Sequence, residues 1–480
     1  MSRPITIALG WSLSALTFAA ATASAQTPAA SPAPAAPTAA ATPAATAPKT
    51  ANDFGSQIRF KVEKYVLPNG LTVLLTEDHS APIISYQTWF RVGSKNEEPG
   101  LTGIAHLFEH MMFKGAKRYG QGMFETILQA NGATNNAFTT NDYTGYYENM
   151  PSSKLELVMD IESDRMENLQ ISAENLKSER EVVKEERRYR VDNNPSGILR
   201  ENIMSTVFKV HPYRWPVIGY MQDLDNVNVE NATKFYRTFY APNNAVLVIA
   251  GDFNTDAAKK MIEKYYGPLK SQTLPDRPRP PEPEQKSPRS QELRKEVQSI
   301  QFAITFPAPK AGSEESYALD LVGNILGSGT SSRLHQRLVY KDQLATSVAA
   351  YNYTLQDAGL FQVFVTLKPG ANWDRAYKAV YGELWRPANM KIKEDELQKA
   401  KNQMMKSYVD GLKTIHGKAE ALAMNEIMFG DYERLFHDLE RYQKVTADDM
   451  RKAAAKYLVT NKSNLVVLRP LAKPKKGAAQ

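Results

Sequence analysis

The segment GIAHLFEHMMFKG, residues 103–115, places two histidines and a glutamate in a strongly apolar stretch with helical character. Residues four apart lie on one face of a helix, so His106 and His110 can bind one ion through their imidazole nitrogens. Glu109 lies close to the same face. Burying these groups among Leu, Phe and Met side chains is costly unless they are paired or bind a metal. The segment therefore predicts a metal site on a buried helix, with a carboxylate beside the ion.

The spacing H-x-x-E-H in this segment is the inverse of the H-E-x-x-H pattern of zinc peptidases. The chain has 7 His and 52 acidic residues among 480. A random sequence of this composition would contain the pattern about 0.01 times. A solvated helix is the alternative interpretation, and the apolar neighbours argue against it. The pattern therefore favours metal chemistry over coincidence.

A hydrolytic zinc site has three protein ligands and one open position, so a third ligand is expected from elsewhere in the chain. The Glu-rich segment SAENLKSEREVVKEERRYR, residues 172–190, predicts a helix that could supply it. Glu179 and Glu186 are seven residues apart and share a helical face. Spacing alone does not choose among Glu179, Glu185 and Glu186. Most acids of this helix also fit an ordinary solvated face.

The strand and helix around the histidines recur later in the chain. An apolar strand precedes the helix that carries His106, and the order strand then helix returns at residues 300–306 and 315–329. Both halves also end with a helix, a turn containing Asn and a buried strand, at residues 231–253 and 448–470. An internal duplication explains this best. We expect an α+β fold of two homologous α/β-sandwich domains, each a mixed, largely antiparallel sheet with helices packed on it. The second copy has no His or Glu at the corresponding helix.

Composition divides the chain into six predicted segments. The first resembles an export signal, with an apolar run and an Ala-Ser-Ala cleavage pattern, and the second is almost entirely Ala, Pro and Thr. A later stretch rich in Pro predicts a stiff linker. The segments are the signal peptide at 1–25, a disordered tether at 26–56, the metal-binding catalytic domain at 57–273, the linker at 274–292, the second, metal-free domain at 293–472 and a basic tail at 473–480.

Composition also excludes several classes of site and partner. The absence of Cys excludes disulfides and thiolate zinc sites. The net charge of +7 is modest for 480 residues, and we expect no nucleic-acid partner. No segment after the signal reaches the length of a membrane span. The mature protein is therefore expected to be exported, to the periplasm, without a membrane span.

Four segments together resemble the pitrilysin/insulinase family of inverted-motif zinc peptidases, and most closely its short exported bacterial branch, which is similar to mitochondrial processing peptidase. They are GIAHLFEHMMFKG, then NNAFTTNDYTGY, then EREVVKEE, then FYAPNNAVLVIAGDF. The resemblance runs from about Phe60 to Pro470. It implies one zinc ion per chain with Glu186 as third ligand and Glu179 as an accessory glutamate. Glu185 stays the alternative ligand, and manganese or cobalt stays an alternative ion.

The resemblance also implies a substrate-binding strand. Residues 135–147, NNAFTTNDYTGYY, alternate in polarity and predict one strand. In the family this strand lies at a sheet edge and pairs with the substrate backbone, which implies that Asn136 and Ala137 contact substrate. An internal strand without a ligand is the alternative. The five other histidines are expected to be structural or surface residues: His79, His211, His335, His416 and His437.

The second half departs from the family pattern. The family often carries a substrate-binding Arg and Tyr there, and in SSRLHQRLVYKDQLATSVAA these fall on Val339 and Thr346. Arg337 and Tyr340 are nearby but out of register. Family members exist as pairs in which one subunit holds zinc and the other the Arg/Tyr pair. We therefore expect a heterodimer with a homologous partner that lacks the H-x-x-E-H motif; a homodimer is the alternative.

The predicted function is that of a zinc-dependent endopeptidase or oligopeptidase. Zinc would activate a water molecule, and Glu109 would act as the general base toward a peptide or unfolded chain. The main alternative is a non-catalytic structural or interaction subunit of a peptidase-like complex. A small H-x-x-E-H lyase is a third possibility, but that enzyme is much shorter and needs a Cys.

Overall fold

The structure, a computed structural model, describes residues 59–276 and 279–471. The predicted signal peptide, tether and basic tail lie outside these residues. Within them, no helix combines the length and the apolar character needed to cross a membrane.

The elements of the first half form a sheet and its covering helices. The strands are β1 (Glu63–Val66), β2 (Thr72–Glu77), β3 (Ile83–Phe90), β4 (Thr134–Thr139), β5 (Thr144–Pro151) and β6 (Ala245–Gly251). The α-helices are α1 (Ile104–Met111), α2 (Met123–Ala130), α3 (Leu155–Asn168), α4 (Ala173–Arg187), α5 (Pro195–Val207), α6 (Met221–Asn226), α7 (Val229–Phe239) and α8 (Thr255–Tyr266). A π-helical turn, Arg188–Asp192, continues α4.

The second half repeats this construction. Its strands are β7 (Arg289–Lys295), β8 (Gln301–Ala308), β9 (Ala345–Thr354), β10 (Gly359–Leu367) and β11 (Asn464–Pro470). Its α-helices are α9 (Glu314–Gly327), α10 (Trp373–Asn389), α11 (Glu394–Gly411), α12 (Ile415–Phe429), α13 (Arg434–Lys444) and α14 (Ala447–Tyr457). A π-helical turn, His335–Lys341, follows α9.

The two sheets have the same topology, which confirms the predicted fold class. The first has the strand order β1-β2-β6-β3-β5-β4 and the second β7-β11-β8-β10-β9. In each, one parallel pair is followed by antiparallel neighbours: β2 with β6, and β7 with β11, are the parallel pairs. Strand β1 is an addition that pairs with β2. Each sheet packs helices against a core of its own, as an α/β sandwich does.

The prediction of one strand over residues 135–147 is wrong, because the structure divides this segment into β4 and β5. The Thr140 N–H donates to the Tyr143 carbonyl at 2.8 Å, and the two strands pair antiparallel. Asn141 and Asp142 lie in the turn, where their short polar side chains are favoured. The alternating pattern continues across the turn and so concealed it. The hairpin makes β4 an edge strand.

Strand β7 begins inside the segment that was predicted as a linker. Its sequence RSQELRK is largely polar and carries no strong strand signal. It becomes a strand because it pairs in parallel with the apolar β11. Tertiary pairing thus overrides a weak local preference.

The two halves exchange helices across their sheets. Helix α12 of the second half packs on β3 and β6 of the first sheet, through residues such as Leu422 and Ala419. Helix α5 of the first half packs on β8 and β11 of the second sheet, through residues such as Leu199 and Ile203. Each sheet therefore has one face covered by the other half. Neither half can bury its sheet fully without the other.

A buried ion network joins the tips of two corresponding hairpins. Lys95 Nζ lies 2.6 Å from Asp142 Oδ1, at the β4–β5 turn, and 3.5 Å from Asp357 Oδ2, at the β9–β10 turn. Lys95 also donates to Gln356 Oε1. The Tyr213 hydroxyl donates to Asp142 and accepts from the Asp357 N–H. We call these five residues the hairpin ion network. It fixes the first half against the second.

The substitution Leu422→Ala is expected to lower the free energy of unfolding of the whole chain by about 3 kcal/mol. Leu422 is fully buried on α12 against the first sheet. Its truncation leaves a cavity between the halves. Denaturant unfolding measures the change, and Leu471→Ala is the matched control because Leu471 is 50% exposed. An equal effect of both substitutions would contradict the packing assigned to α12.

Candidate metal centre

Helix α1 starts at a fixed point of the fold. The Glu97 carboxylate accepts hydrogen bonds from the N–H groups of Gly103 (3.0 Å) and Ala105 (2.9 Å), at the first turn of the helix. Gly103 has φ of 91°, and a Cβ there would lie 2.6 Å from the Ile218 carbonyl oxygen. Glycine is therefore required at this position. These contacts fix the first turn of α1 and therefore the direction in which its polar side chains point.

That face meets helix α4 at a cluster of three possible ligands. One side-chain atom each of His106, His110 and Glu186 can be chosen so that all lie within 4.8 Å of one another. Glu186 Oε2 is 3.3 Å from His110 Nε2 and 3.7 Å from His106 Nε2. Two nitrogens and one oxygen at this separation are the donors that zinc prefers, and they leave a fourth position open. Both histidines are buried.

The three glutamates of α4 among which spacing alone did not choose lie in different places. Glu185 is exposed and pairs with Arg188 at 2.8 Å. Glu179 Oε2 lies 3.4 Å from His110 Nδ1, the nitrogen not directed at Glu186, and Glu179 also pairs with Lys114. The helix therefore directs Glu186 to the histidines and Glu179 behind one of them. A carboxylate behind a ligating imidazole fixes its orientation and tautomer.

Glu109 lies beside the cluster rather than within it. Its carboxylate is buried, and Oε2 lies 3.9 Å from His106 Nε2 without a hydrogen-bond partner in the described residues. Phe108 and Met111, its neighbours on α1, are fully buried. A buried carboxylate oxygen without a hydrogen-bond donor is unfavourable for the folded state.

The unpaired polar atoms of the cluster fit a bound cation. His110 Nε2 and Glu186 Oε2 are buried, lie 3.3 Å apart and lack hydrogen-bond geometry with any neighbour in the described part of the chain. Buried polar atoms are almost always satisfied, so a cluster of orphans calls for a missing partner. A divalent cation would satisfy these atoms together. The residues present therefore fit a zinc ion.

The pKa shifts within the cluster also fit a bound cation. Burial lowers the pKa of His106. Burial also disfavours the charged form of His110, but the carboxylates of Glu179 and Glu186 outweigh it and raise the His110 pKa to about 9. Burial raises the pKa of Glu186, yet the two histidines lower it to about 2. The carboxylates thus stabilise positive charge at this place, which is what a metal brings.

The predicted substrate residues lie on the edge strand β4. Asn136 pairs with Tyr147 and Ala137 with Tyr146 of β5, and the other edge of β4 has no neighbouring strand among the described residues. Ala137 is buried and its N–H is contacted by Asn136 Oδ1 at 2.9 Å. Helix α1 contacts β4 directly. The metal cluster and an open sheet edge are therefore neighbours.

The second half offers no Arg/Tyr pair at the register that the family pattern gives. Val339 packs against the second core, and the Thr346 hydroxyl donates to the Thr366 carbonyl at 3.2 Å. Arg337 forms an ion pair with Asp342, and Tyr340 is 74% exposed. Val339 and Thr346 thus have structural roles within their own half.

Arg190 is a site residue that was not predicted from the sequence. It lies in the π-helical turn after α4, and its Nε is 3.0 Å from Glu186 Oε1. Oε2 of the same carboxylate faces the two histidines. Arg190 therefore orients Glu186. The spacing of four residues between Glu186 and Arg190 was the available signal.

Replacing Arg190 with Gln is expected to weaken metal binding about 10–100-fold, the range typical for the partner of a ligand. The guanidinium that holds Glu186 would be lost while all three ligands remain. Competition with a chromogenic chelator measures the affinity. Arg188→Gln is the matched control, since Arg188 lies in the same turn but pairs with the exposed Glu185. Equal affinities of the two variants would exclude the role given to Arg190.

Comparison with known proteins adds independent information. Residues 72–220 match the family described as Insulinase (Peptidase family M16), and residues 226–404 match the Peptidase M16 inactive domain. The Zinc protease PqqE of Helicobacter pylori is 30% identical over 419 residues, which cover 85% of this chain and 93% of the relative. A zinc protease of Bacillus subtilis, YmxG, is 25% identical over 413 residues, which cover 85% of this chain and 98% of the relative.

Solved structures agree with this fold. The structure of a protease from Helicobacter pylori superimposes with a TM-score of 0.81 at 29% identity, covering 86% of this chain and 100% of that chain. The structure of a peptidase M16 inactive domain from Pseudomonas fluorescens has a TM-score of 0.77 at 17% identity, covering 86% and 99%. The second likeness concerns the fold alone.

Proposed function

Since the chain belongs to the insulinase family of peptidases, family M16, we propose that it is a zinc-dependent endopeptidase or oligopeptidase. The observation that carries the proposal is the buried cluster of His106, His110 and Glu186 with its orphaned polar atoms. Glu109 Oε2 is likewise buried without a hydrogen-bond partner in the described residues, which supports an active site over an inert structural role.

The residues of the site divide the work of hydrolysis. His106, His110 and Glu186 would hold the ion, with Glu179 and Arg190 orienting two of them. A bound zinc ion supplies Lewis acidity, which lowers the pKa of water towards about 7 and polarises a carbonyl group.

Glu109 is the proposed general base of the reaction. Its buried Oε2 lies next to the cluster and has no hydrogen-bond partner in the described residues. It would accept the proton of the attacking water and deliver it to the leaving amine.

The proposed substrate is an extended peptide or an unfolded segment. Strand β4 is an edge strand beside the cluster, and an added peptide strand gains main-chain hydrogen bonds with little demand on sequence. Asn136 and Ala137 would contact substrate near the scissile bond. Folded proteins present few free strands of this kind, so they are expected to be poor substrates.

We also propose that the chain works with a homologous partner. The exchange of α5 and α12 and the hairpin ion network hold its two halves together as one unit, which leaves room for a separate chain to complete the substrate site. Val339 and Thr346 occupy the register of the missing Arg/Tyr pair, which supports a partner that supplies it. The test compares cleavage by the purified chain alone and with a co-encoded homologue; equal rates would refute the need for a partner.

We also propose that the protein is exported. Residues 1–25 carry the apolar run and cleavage pattern of a signal peptide, so a periplasmic location is proposed. Fractionation of cells with detection of the mature N-terminus tests it. Recovery of an uncleaved chain from the cytoplasm would contradict it.

The decisive experiment for the activity is metal-dependent cleavage. The purified protein is expected to contain one zinc per chain, to cleave an unstructured fluorogenic peptide, to lose activity to a chelator and to regain it with zinc. If the protein bound zinc and cleaved nothing, with or without its partner, the non-catalytic subunit would be the better interpretation. Failure to bind any metal would remove the proposed site itself.

A further inference from the structure

Helix α12 belongs to the metal-free half, but one side of it faces the hairpin that carries the proposed substrate strand. Most of the helix is buried against β3 and β6 of the first sheet. Four of its partly exposed residues follow at intervals of four and so lie along one side: His416, Glu420, Met424 and Met428. The His416 ring contacts the Tyr147 ring of β5 edge-on, with 4.5 Å between the centroids. We call this side the α12 stripe.

A row of side chains connects the α12 stripe with the open edge of β4. In the sheet register, Gln87 of β3 lies opposite Tyr147 of β5, and Tyr147 lies opposite Asn136 of β4. Gln87 Nε2 is 3.2 Å from His416 Nδ1, so the row lies on the sheet face that α12 covers. Tyr147 and Asn136 also form a side-chain hydrogen bond. A peptide strand added to β4 would continue this row at the next strand spacing of about 4.8 Å, with one side chain on the same face.

Phe138, the next residue of β4 on this face, turns away from the open edge. Its ring crosses β5 and packs edge-to-face on Trp89 of β3, with 4.9 Å between the ring centroids. Gly145 of β5 makes this possible, because a Cβ there would lie 2.5 Å from the Phe138 ring. The aromatic side chain of β4 therefore leaves the space along the outer edge of the strand free for a substrate side chain.

Glu420 brings an uncompensated carboxylate to this place. Its side chain is 32% exposed, so it is half-buried and still accessible. Among the described residues, the only basic side chain within 4 Å is that of His416, at 3.8 Å from Oε2. Burial lowers the pKa of His416, so its imidazole is neutral at pH 7. Burial raises the pKa of Tyr147, and the nearby charge of Glu420 adds to that rise. A cation beside Tyr147 would compensate this charge.

We infer that Glu420 selects a cationic residue, arginine or lysine, in the peptide strand that pairs with β4. A cationic side chain on this face would pair with the carboxylate and lie against the Tyr147 ring, where a cation–π contact adds to the attraction. An acidic side chain would be repelled, and an apolar one would leave Glu420 without a partner. The inference rests on the proposed function, because it uses the proposed substrate strand. It gives the metal-free half a role in choosing the substrate.

The first test measures binding to the full-length Glu109→Gln variant, so that the peptides are not cleaved. The probes are short, labelled, uncharged peptides with blocked ends and one central residue that is arginine, glutamine or glutamate. In fluorescence anisotropy, the arginine peptide is expected to bind about tenfold more tightly than the glutamine peptide, and the glutamate peptide more weakly than both. Equal affinities of the arginine and glutamine peptides, or no saturable binding of the arginine peptide, would overturn the inference.

Substitutions of Glu420 in the same background assign the selection to this residue. Glu420→Gln is expected to remove the difference between the arginine and glutamine peptides, and Glu420→Lys to make the glutamate peptide the tightest. Each ratio compares peptides on one variant, so a loss of stability does not change it. Glu315→Gln is the control, because Glu315 is an exposed acid of α9 that pairs with Lys456. An unchanged preference for arginine in Glu420→Gln would refute the role of Glu420.

Cleavage by the wild-type chain, with its co-encoded homologue present, separates this inference from the proposed function. The arginine peptide is expected to be cleaved with a kcat/KM about tenfold above that of the glutamine peptide. Equal cleavage of all three peptides would refute the selection and support the peptidase. Cleavage of none, with arginine-selective binding retained, would refute the peptidase activity and support the selection by Glu420.

Discussion

The substitution Glu109→Gln is expected to leave zinc binding intact and to reduce peptide hydrolysis by about 10²–10⁴-fold. Glutamine has nearly the same shape as glutamate, so the packing around α1 is kept. The amide cannot accept the proton of a water molecule. The candidate ligands His106, His110 and Glu186 are untouched. Metal content by mass spectrometry and kcat with an unstructured peptide are the two measurements.

The control for this prediction is Glu185→Gln. Glu185 is an acid on the neighbouring helix α4 that is exposed and faces Arg188 rather than the cluster. It is expected to keep both zinc and activity. Wild-type turnover in the Glu109→Gln variant would show that the general base is another group. Loss of zinc from that variant would show that Glu109 is a ligand, which its place outside the cluster does not predict.

The substitution Lys95→Met is expected to lower the free energy of unfolding by about 3–5 kcal/mol, the usual effect of removing one partner of a buried ion pair. The side chains of Lys95 and Asp142 are each 2% exposed. Without the ammonium, the Asp142 carboxylate stays buried with only neutral donors. Asp357 keeps His211 and Arg279 as neighbours. Burial raises the pKa of Asp357, but the hydrogen bond with His211 and the charges of Lys95 and Arg279 hold it well below its usual range.

Chemical denaturation followed by circular dichroism measures this change. Lys413→Met is the control, because Lys413 forms an exposed ion pair with Asp410 on the surface of the second half. It is expected to leave the unfolding free energy unchanged within error. The double variant Lys95→Met/Asp142→Asn should be more stable than Lys95→Met alone, since it removes the uncompensated charge. If Lys95→Met were as stable as Lys413→Met, the hairpin ion network would not join the halves.

Much of the candidate metal centre could be predicted because its information is local. His106, Glu109 and His110 lie on one short helix, and a helical repeat alone brings them to one face. Spacing could not decide whether Glu185 or Glu186 is the third candidate ligand, because both lie on α4. Only the packing of α4 on α1 directs Glu186 to the histidines.

The β4–β5 hairpin and strand β7 show where local patterns fail. Alternation continues through the turn at Asn141 and Asp142, so the period of two gave no sign of the break. Strand β7 is polar and gains its structure from pairing with β11. In the first case the deciding hydrogen bonds join β4 to β5 across the turn. In the second they join β7 to β11, which lies far along the chain.

The sequence by itself indicated the candidate metal-binding residues and the duplicated fold of this protein. Helical spacing placed two histidines and a glutamate close to one helical face, and repeated strand and helix order specified two similar sheets. Only the tertiary structure decided which helix covers which sheet. An apolar face on α5 or α12 indicates that the helix is buried. It does not indicate which sheet the helix packs against, because the hydrophobic effect is non-directional. The exchange of these helices, which makes the two halves one unit, follows from packing alone.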